Sequence, residues 1–258
     1  MSVLCHDISF SYTSHESLLS GLHFEAEAGS LLLIAGHNGA GKSTLLKLLN
    51  GILRPAKGRI HVNGREVRLL STSELASEIC VTFQHPADQL FASTVQAEAE
   101  YAPRNLKRAA APRLASEALD LFGLSPDQDR HPYDLPGARR KLLCAAAAVA
   151  SGAPVLAFDE PTAGLSAPER QVFANALRAL RHAGKTVIAV SHDLEFFLPH
   201  SDRILILSRG RSLFTGPTSE LPEHLPELRH SGVRLPLPIR LRPYAGLPLI
   251  PDAPKNLS

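Results

Sequence analysis

Residues 31–44 read Leu31-Leu32-Leu33-Ile34-Ala35-Gly36-His37-Asn38-Gly39-Ala40-Gly41-Lys42-Ser43-Thr44. The continuous apolar run at the start, bounded by glycines, is the pattern of a strand buried on both faces. The stretch from Gly36 fits G-x-x-x-x-G-K-[ST], and Leu45, Leu46, Leu48 and Leu49 then follow at helical spacing until Gly51. Strand, glycine loop and helix in this order are the context in which the motif binds phosphate. Glycines at 36, 39 and 41 let successive N–H groups converge on phosphate oxygens, and the helix offers its positive end to the same anion. Lys42 is placed to bridge β- and γ-phosphates, and the Ser43 hydroxyl to coordinate Mg2+. His37, Asn38, Ala40 and Thr44 complete the expected nucleotide-binding stretch.

Around this loop the pattern alternates between two periods. Ile8 and Phe10, then Leu22, Phe24 and Ala26, alternate in period two and read as antiparallel strands. Residues 55–58 read as a turn, 58–64 as a short strand, and 79–83 as another. From about 94 to 150 the pattern is helical. Leu114, Ala118, Leu121 and Phe122 recur at helical spacing between Pro112 and Gly123. Residues 154–158, 186–190 and 203–207 read as strands, with a helix over 168–182. Strands alternating with helices predict a mostly parallel α/β sheet, here with an N-terminal antiparallel β subdomain and an inserted helical lobe. The predicted main domain is 1–216. Residues 217–258 contain nine prolines, so they cannot form a regular helix and read as an extended segment packing on, or trailing from, the main body.

Two acids end the strand over 154–158. Asp159 suits a Mg2+ ligand, held directly or through water. Glu160 could polarise an attacking water as general base. The alternative is a helix-capping Asp-Glu ahead of Pro161 and Thr162.

Composition narrows the function classes. Among 258 residues, 27 Lys+Arg stand against 25 Asp+Glu, a balance that argues against an electrostatic nucleic-acid binder. Cys5, Cys80 and Cys144 are far apart in sequence, so neither a disulfide framework nor a structural zinc site is indicated. The first twelve residues do not read as a signal peptide. The longest apolar runs, 31–35 and 142–150, fall short of the ~18–20 residues of a membrane span. A soluble chain is expected, with any membrane role exerted through a partner.

With the phosphate loop and the Asp159-Glu160 pair in hand, the chain resembles the ATP-binding subunits of ABC transporters from near its N-terminus to about residue 216. Gln84 ends a strand as that family's Q-loop does, and His192 in Val190-Ser191-His192-Asp193 matches its switch histidine. Tyr12 stands where the family places an aromatic that stacks on adenine. A narrower resemblance, to the energy-coupling factor branch for uptake of vitamins and cobalt or nickel ions, covers Phe83 to Phe91, then Thr94-Val95 and Pro103-Arg104-Asn105-Leu106. Gly232 to Pro236, with Arg240 and Leu241, also looks like that branch. The resemblance implies a phosphate-loop NTPase of ABC type with ATP and Mg2+ as cofactors. Gln84 would contact Mg2+ and the attacking water. His192 would hydrogen-bond the γ-phosphate, although a histidine before Asp193 could also cap a helix.

The pattern breaks in two places. The family's Leu-Ser-Gly-Gly-Gln signature corresponds to Leu135-Pro136-Gly137-Ala138-Arg139. Pro136 has neither hydroxyl nor N–H, although proline suits the first turn of a helix. The family also expects Asp where Ser166 stands. By the resemblance both elements act in trans, on the nucleotide held by a second ATPase subunit, whereas Lys42, Ser43, Gln84, Asp159, Glu160 and His192 act in cis. A heterodimer is therefore favoured over a homodimer. Arg139, Arg140 and Lys141 oppose the local helix dipole. They read as a solvated face, with Arg139 as an alternative phosphate ligand in trans.

The leading expectation is an ATPase subunit bound to a transmembrane coupling subunit, peripheral on the cytoplasmic face of the membrane and without a nucleic-acid partner. The alternative is a soluble ABC-type ATPase in ribosome or DNA maintenance, which one phosphate loop and no sustained heptads disfavour. Glu160 and His192 speak against a third reading, a non-hydrolysing regulatory subunit.

Overall fold

The computed structural model describes residues 2–13, 17–224, 228 and 236. Among the described residues the strands are β1 (Val3–Phe10), β2 (Leu19–Ala26), β3 (Leu31–Gly36), β4 (Lys57–Val62), β5 (Arg65–Glu66), β6 (Ile79–Thr82), β7 (Val155–Asp159), β8 (Thr186–Val190), β9 (Arg203–Ser208) and β10 (Arg211–Pro217). The α-helices among the same residues are α1 (Lys42–Leu49), α2 (Thr72–Glu78), α3 (Val95–Asn105), α4 (Ala111–Leu121), α5 (Gly137–Ala150), α6 (Ala167–His182) and α7 (Leu194–Phe197).

The strands form two sheets. A four-stranded sheet runs β2-β1-β4-β5, and its neighbours pair antiparallel. A six-stranded sheet runs β10-β9-β3-β8-β7-β6, parallel except where β10 turns back along β9. The predicted architecture of a mostly parallel sheet beside an antiparallel N-terminal one is the observed architecture. Strand β3 is central and buried along its whole length. Its alternation divides the interior in two. Leu31, Leu33 and Ala35 face the core shared with α3 to α6. Leu32 and Ile34 face the core closed by α1 and the smaller sheet. Between β6 and β7 the chain inserts α3, α4 and α5, which pack on one another.

Three readings are corrected. The strand expected over 58–64 ends at Val62, because Asn63 and Gly64 both take positive φ (50° and 79°) and turn the chain into β5. In α4 the fully buried stripe is Ala111, Ala115, Ala118 and Leu119, continued by Phe122 just beyond it. Leu114 and Leu121 lie at its margins, half-buried, so the inner face is set by small residues that let the helix approach its neighbours. The sheet does not end near residue 207 but continues as β10, whose Gly216 pairs with Ile204 and Pro217 with Arg203. A 3-10 turn over Thr218–His224 follows, and Leu221 and Leu228 belong to the main core. Of the apolar run 235–238 only Pro236 is described. Gly232, Val233, Arg234, Leu235, Leu237, Pro238, Arg240 and Leu241 lie outside the described residues.

Candidate functional site

The C-terminal ends of β3, β7 and β8, together with the loop after β6, converge on one open cleft of 460 Å³. That is where ligands bind in open parallel sheets. Asn38, Gly39, Gly41, Lys42, Ser43 and Thr44 form one wall. Gln84, Asp159, Glu160 and His192 form the other, so residues 154 positions apart in sequence meet there. Leu18, which the sequence reading missed, also lines it.

Two glycines are demanded by their surroundings. A Cβ on Gly36 would lie 2.5 Å from the Leu207 carbonyl oxygen, so the loop leaves the sheet only if residue 36 has no side chain. Gly41 has φ +100°, and a Cβ there would meet Leu19 Cδ2 at 2.4 Å. Helix α1 begins immediately after it, with Lys42 Nζ folded back to donate to the carbonyls of Gly36 (2.7 Å) and His37 (3.0 Å). Burial pushes the Lys42 ammonium below its ordinary pKa, against the opposing pull of the Glu160 and Asp159 charges.

Ser43 and Asp159 both line the cleft. Asp159 is raised above the usual carboxylate range, chiefly by burial and further by the neighbouring Glu160 charge, while Ser43, Lys42 and Lys141 pull it down. A hydroxyl, one buried carboxylate and the Gln84 amide in the same cleft are hard oxygen donors of the kind Mg2+ takes, with nucleotide phosphates supplying the rest. Among the described residues no cluster of three or more His, Cys, Asp or Glu side chains could hold a metal unaided.

Glu160 has φ +48°. Its N–H donates to the Val190 carbonyl (2.8 Å), and its Oε2 accepts from Ser191 Oγ (3.2 Å) and lies 2.8 Å from His192 Nδ1. The capping alternatives drop out on geometry. Asp193, not His192, caps α7 by accepting from the Phe196 N–H (3.2 Å). Ser166, not Asp159 or Glu160, caps α6. Gln84 is presented by a loop that Gln89 clamps, its amide bonded to the Phe83 N–H (3.0 Å) and the Phe83 carbonyl (2.8 Å).

Some expected site residues stand apart from the cleft. Ala40 is fully buried. His37 turns toward the β9–β10 turn, its Nε2 accepting from the Arg209 N–H at 3.4 Å. Tyr12 is 59% exposed. Its hydroxyl lies 3.3 Å from Thr44 Oγ1 and its ring stands edge-on to Phe10. The signature segment is elsewhere: Leu135 is buried, Pro136 is exposed, and Gly137 and Ala138 line a second cleft shared with Gln84.

The solvated face expected for Arg139, Arg140 and Lys141 is not observed. Arg139 pairs with Asp127 (2.6 Å) and donates to the Gly123 carbonyl. Arg140 donates to the carbonyls of Leu135 and Tyr133 and covers the Tyr133 ring. Lys141 Nζ donates to the Glu160 carbonyl at 3.0 Å, and burial holds its pKa below the usual lysine value. The cations oppose the helix dipole, and each finds an oxygen partner within the chain.

A phosphate-loop nucleotide-binding fold is the class that this cleft and sheet define. The comparisons place it more narrowly: the ABC transporter family matches residues 19–163, more than half of the chain, and the chain belongs to that family. It is 34% identical over 241 residues to a putative ABC transporter ATP-binding protein of Methanosarcina acetivorans, covering 93% of this chain and 39% of that protein. The chain thus spans well under half the length of that relative. It is 31% identical over 234 residues to the energy-coupling factor transporter ATP-binding protein EcfA of Methanocaldococcus jannaschii, covering 89% and 84% respectively. Among solved structures, cbiO1 from Clostridium perfringens, part of the ABC transporter complex cbiONQ, aligns with a TM-score of 0.78 at 26% identity, over 93% of this chain and 98% of that one. No helix among the described residues is long and apolar enough to cross a membrane.

Proposed function

We propose that this chain is the Mg2+-dependent ATPase subunit of an energy-coupling factor type importer for a metal ion or vitamin. The observation that carries this reading is the meeting of Lys42, Ser43, Gln84, Asp159, Glu160 and His192 in one cleft. Loop N–H groups and Lys42 bind the phosphates, which α1 faces with its positive end. Ser43, Asp159 and Gln84 hold Mg2+, which neutralises phosphate charge when bound. Glu160 takes a proton from the attacking water and His192 orients the γ-phosphate. Tyr12 provides a ring near Thr44 for the adenine.

Leu135 to Arg139 would act on the nucleotide of a second, different ATPase subunit. A transmembrane coupling subunit would anchor the pair at the cytoplasmic face of the membrane. The proposed nucleotide-binding domain is 1–216, with 217–258 as an extension that starts against the main core through Leu221 and Leu228 and serves subunit pairing.

The test is co-expression of this chain with its neighbouring ATPase and membrane subunits, followed by membrane isolation and ATPase assay. Co-purification in one complex with Mg2+-dependent activity is expected. A chain that hydrolyses ATP but recovers no membrane subunit would favour an ATPase not tied to transport.

A further inference from the structure

We propose that Lys141 is a positioning residue for Glu160, holding the strained peptide on which that carboxylate is mounted. The inference rests on the reading of Glu160 as the hydrolytic base and goes beyond it.

Glu160 adopts a left-handed φ of +48°, a region costly for a residue with a Cβ. It also precedes Pro161, a setting that normally drives a residue to extended backbone. Such a conformation persists only where the surroundings over-determine it. Three bonds do so here, on both sides of its Cα. The Glu160 N–H donates to Val190 (2.8 Å), and its carbonyl accepts from Lys141 Nζ (3.0 Å) and, at the longer distance of 3.3 Å, from the Ala163 N–H. The carboxylate is thereby directed to Ser191 Oγ and His192 Nδ1. Without Lys141 the carbonyl loses its shorter, charged donor and keeps only the 3.3 Å bond from the Ala163 N–H, so the peptide is less restrained against relaxing toward negative φ with the side chain following it.

Lys141 is suited to this task and to little else. Its α5 neighbours Arg139 and Arg140 are spent on Asp127 and on loop carbonyls. Lys141 alone of the three crosses to the end of β7. It lines the cleft shared by Gln84, Gly137 and Gly164, not the phosphate cleft, so it acts through Glu160 and not on the nucleotide. Its helix is the one that begins with the signature segment, which gives α5 a direct bond to the chain's own hydrolytic residue.

The experiment uses the full chain in its assembled complex. Lys141→Met, which keeps length and loses the donor, is expected to lower kcat by about 10–100-fold, with KM and ATP affinity within about twofold of the parent, as for a misplaced catalytic group. Lys141→Arg should recover most of the loss. Lys185→Met serves as control, because Lys185 Nζ makes the same kind of bond to the Gly152 and Ala153 carbonyls away from the site. Amide exchange over residues 156–163, read by mass spectrometry without turnover, should accelerate in Lys141→Met and not in the control. Unchanged kcat and unchanged exchange in Lys141→Met would overturn the proposal, as would a kcat loss matched by equal loss of ATP affinity. Glu160→Gln separates the two readings. If that variant turns over normally the base assignment fails, whereas an inactive Glu160→Gln beside a fully active Lys141→Met refutes the role of Lys141 alone.

Discussion

His192 Nδ1 lies 2.8 Å from Glu160 Oε2, joining a side chain that is 72% exposed to one that is 11% exposed. The carboxylate is rooted in the sheet end and the imidazole stands at the cleft, so the pair links a buried group to an exposed one. With Nδ1 turned to Glu160, the other ring nitrogen is left for the nucleotide. Ser191 Oγ makes the second bond to the same oxygen and accepts from the Asp193 N–H (3.1 Å), which ties the pair to the start of α7.

Groups coupled this closely should act as a unit. Glu160→Gln keeps shape and hydrogen bonding but removes the base, and turnover is expected to fall by about 10²–10⁴-fold with ATP binding retained. His192→Ala should also lower turnover, and the double variant should be no worse than Glu160→Gln alone. Phosphate release and calorimetry measure the two quantities. Additive losses would show that the histidine acts independently of Glu160.

Lys42 supplies charge where the loop amides supply direction. Each charge-assisted bond to phosphate contributes about 1.5–3 kcal/mol. Two such bonds lost in Lys42→Ala correspond to an affinity drop of roughly 10²–10⁴-fold. Calorimetric titration with ATP reads this directly, and an affinity within about threefold of the parent would contradict the assignment of the loop.

The phosphate loop was legible because its chemistry is local: Gly36, Gly41, Lys42 and Ser43 sit in one short run between a buried strand and a helix. The parallel strands were legible from their apolar runs, Asp159 from its strand-end position, and Gln84 and His192 from the resemblance to the family. What sequence could not give were relations set by packing. Arg139, Arg140 and Lys141 looked like a solvated face because Asp127, Leu135, Tyr133 and Glu160, their partners, are brought up by other segments. Strand β10 was missed because exposed Arg211, Leu213 and Thr215 alternate with Ser212, Phe214 and Gly216, so that Phe214 is the one large apolar side chain on its buried face. The Asn63-Gly64 turn was available as a signal and was absorbed into a strand.

Asp127 makes an acid-stability prediction. Burial alone would raise its pKa, but the hydrogen bonds and charges of Arg130 and Arg139 outweigh it and hold the carboxyl below its ordinary value. A folded pKa depressed below the unfolded value of about 3.9 gives stability that is full above that pH and lost as pH falls through the folded pKa. Asp127→Asn should therefore be less stable than the parent at neutral pH by about 1–3 kcal/mol, with the difference shrinking below about pH 4. Urea unfolding across that range tests it, and a difference independent of pH would refute the ion-pair account.

Leu221 tests where the folded body ends. It is fully buried in the main core with Phe214 and Leu228, after the proposed boundary at residue 216. Leu221→Ala should cost about 2–5 kcal/mol of unfolding free energy, the range for large-to-small core changes. ATP affinity of the folded fraction should not change, because the side chain is outside the phosphate cleft. A loss under about 0.5 kcal/mol, the level of an ordinary surface change, would mean that this segment only rests on the surface.

The last prediction concerns pairing. In this family each ATP is taken to lie between one subunit's phosphate loop and the other's signature helix. This chain's cis side is complete, with Lys42, Ser43, Asp159, Glu160 and His192 all lining the cleft. Its trans side is depleted. Pro136 caps α5 without N–H or hydroxyl, and Arg139, the one candidate substitute, is held by Asp127 and the Gly123 carbonyl. Ser166 is occupied as the α6 cap, with its N–H and Oγ both on Glu169 (2.8 and 2.7 Å), a task serine performs as well as aspartate. The fold tolerates both replacements, and the proposed cost would fall on the neighbour's nucleotide. Losing donors of this kind costs about 2.7–4 kcal/mol, or roughly 10²–10³ in rate per site. A homodimer would therefore contain two slow sites. A heterodimer with an intact-signature subunit would contain one fast site, on this chain's phosphate loop, and one slow site facing Pro136. Glu160→Gln in this chain alone should remove most of the complex's turnover, while the equivalent change in the partner should remove little. Full activity of this chain as a homodimer, or equal losses from the two substitutions, would refute the asymmetry.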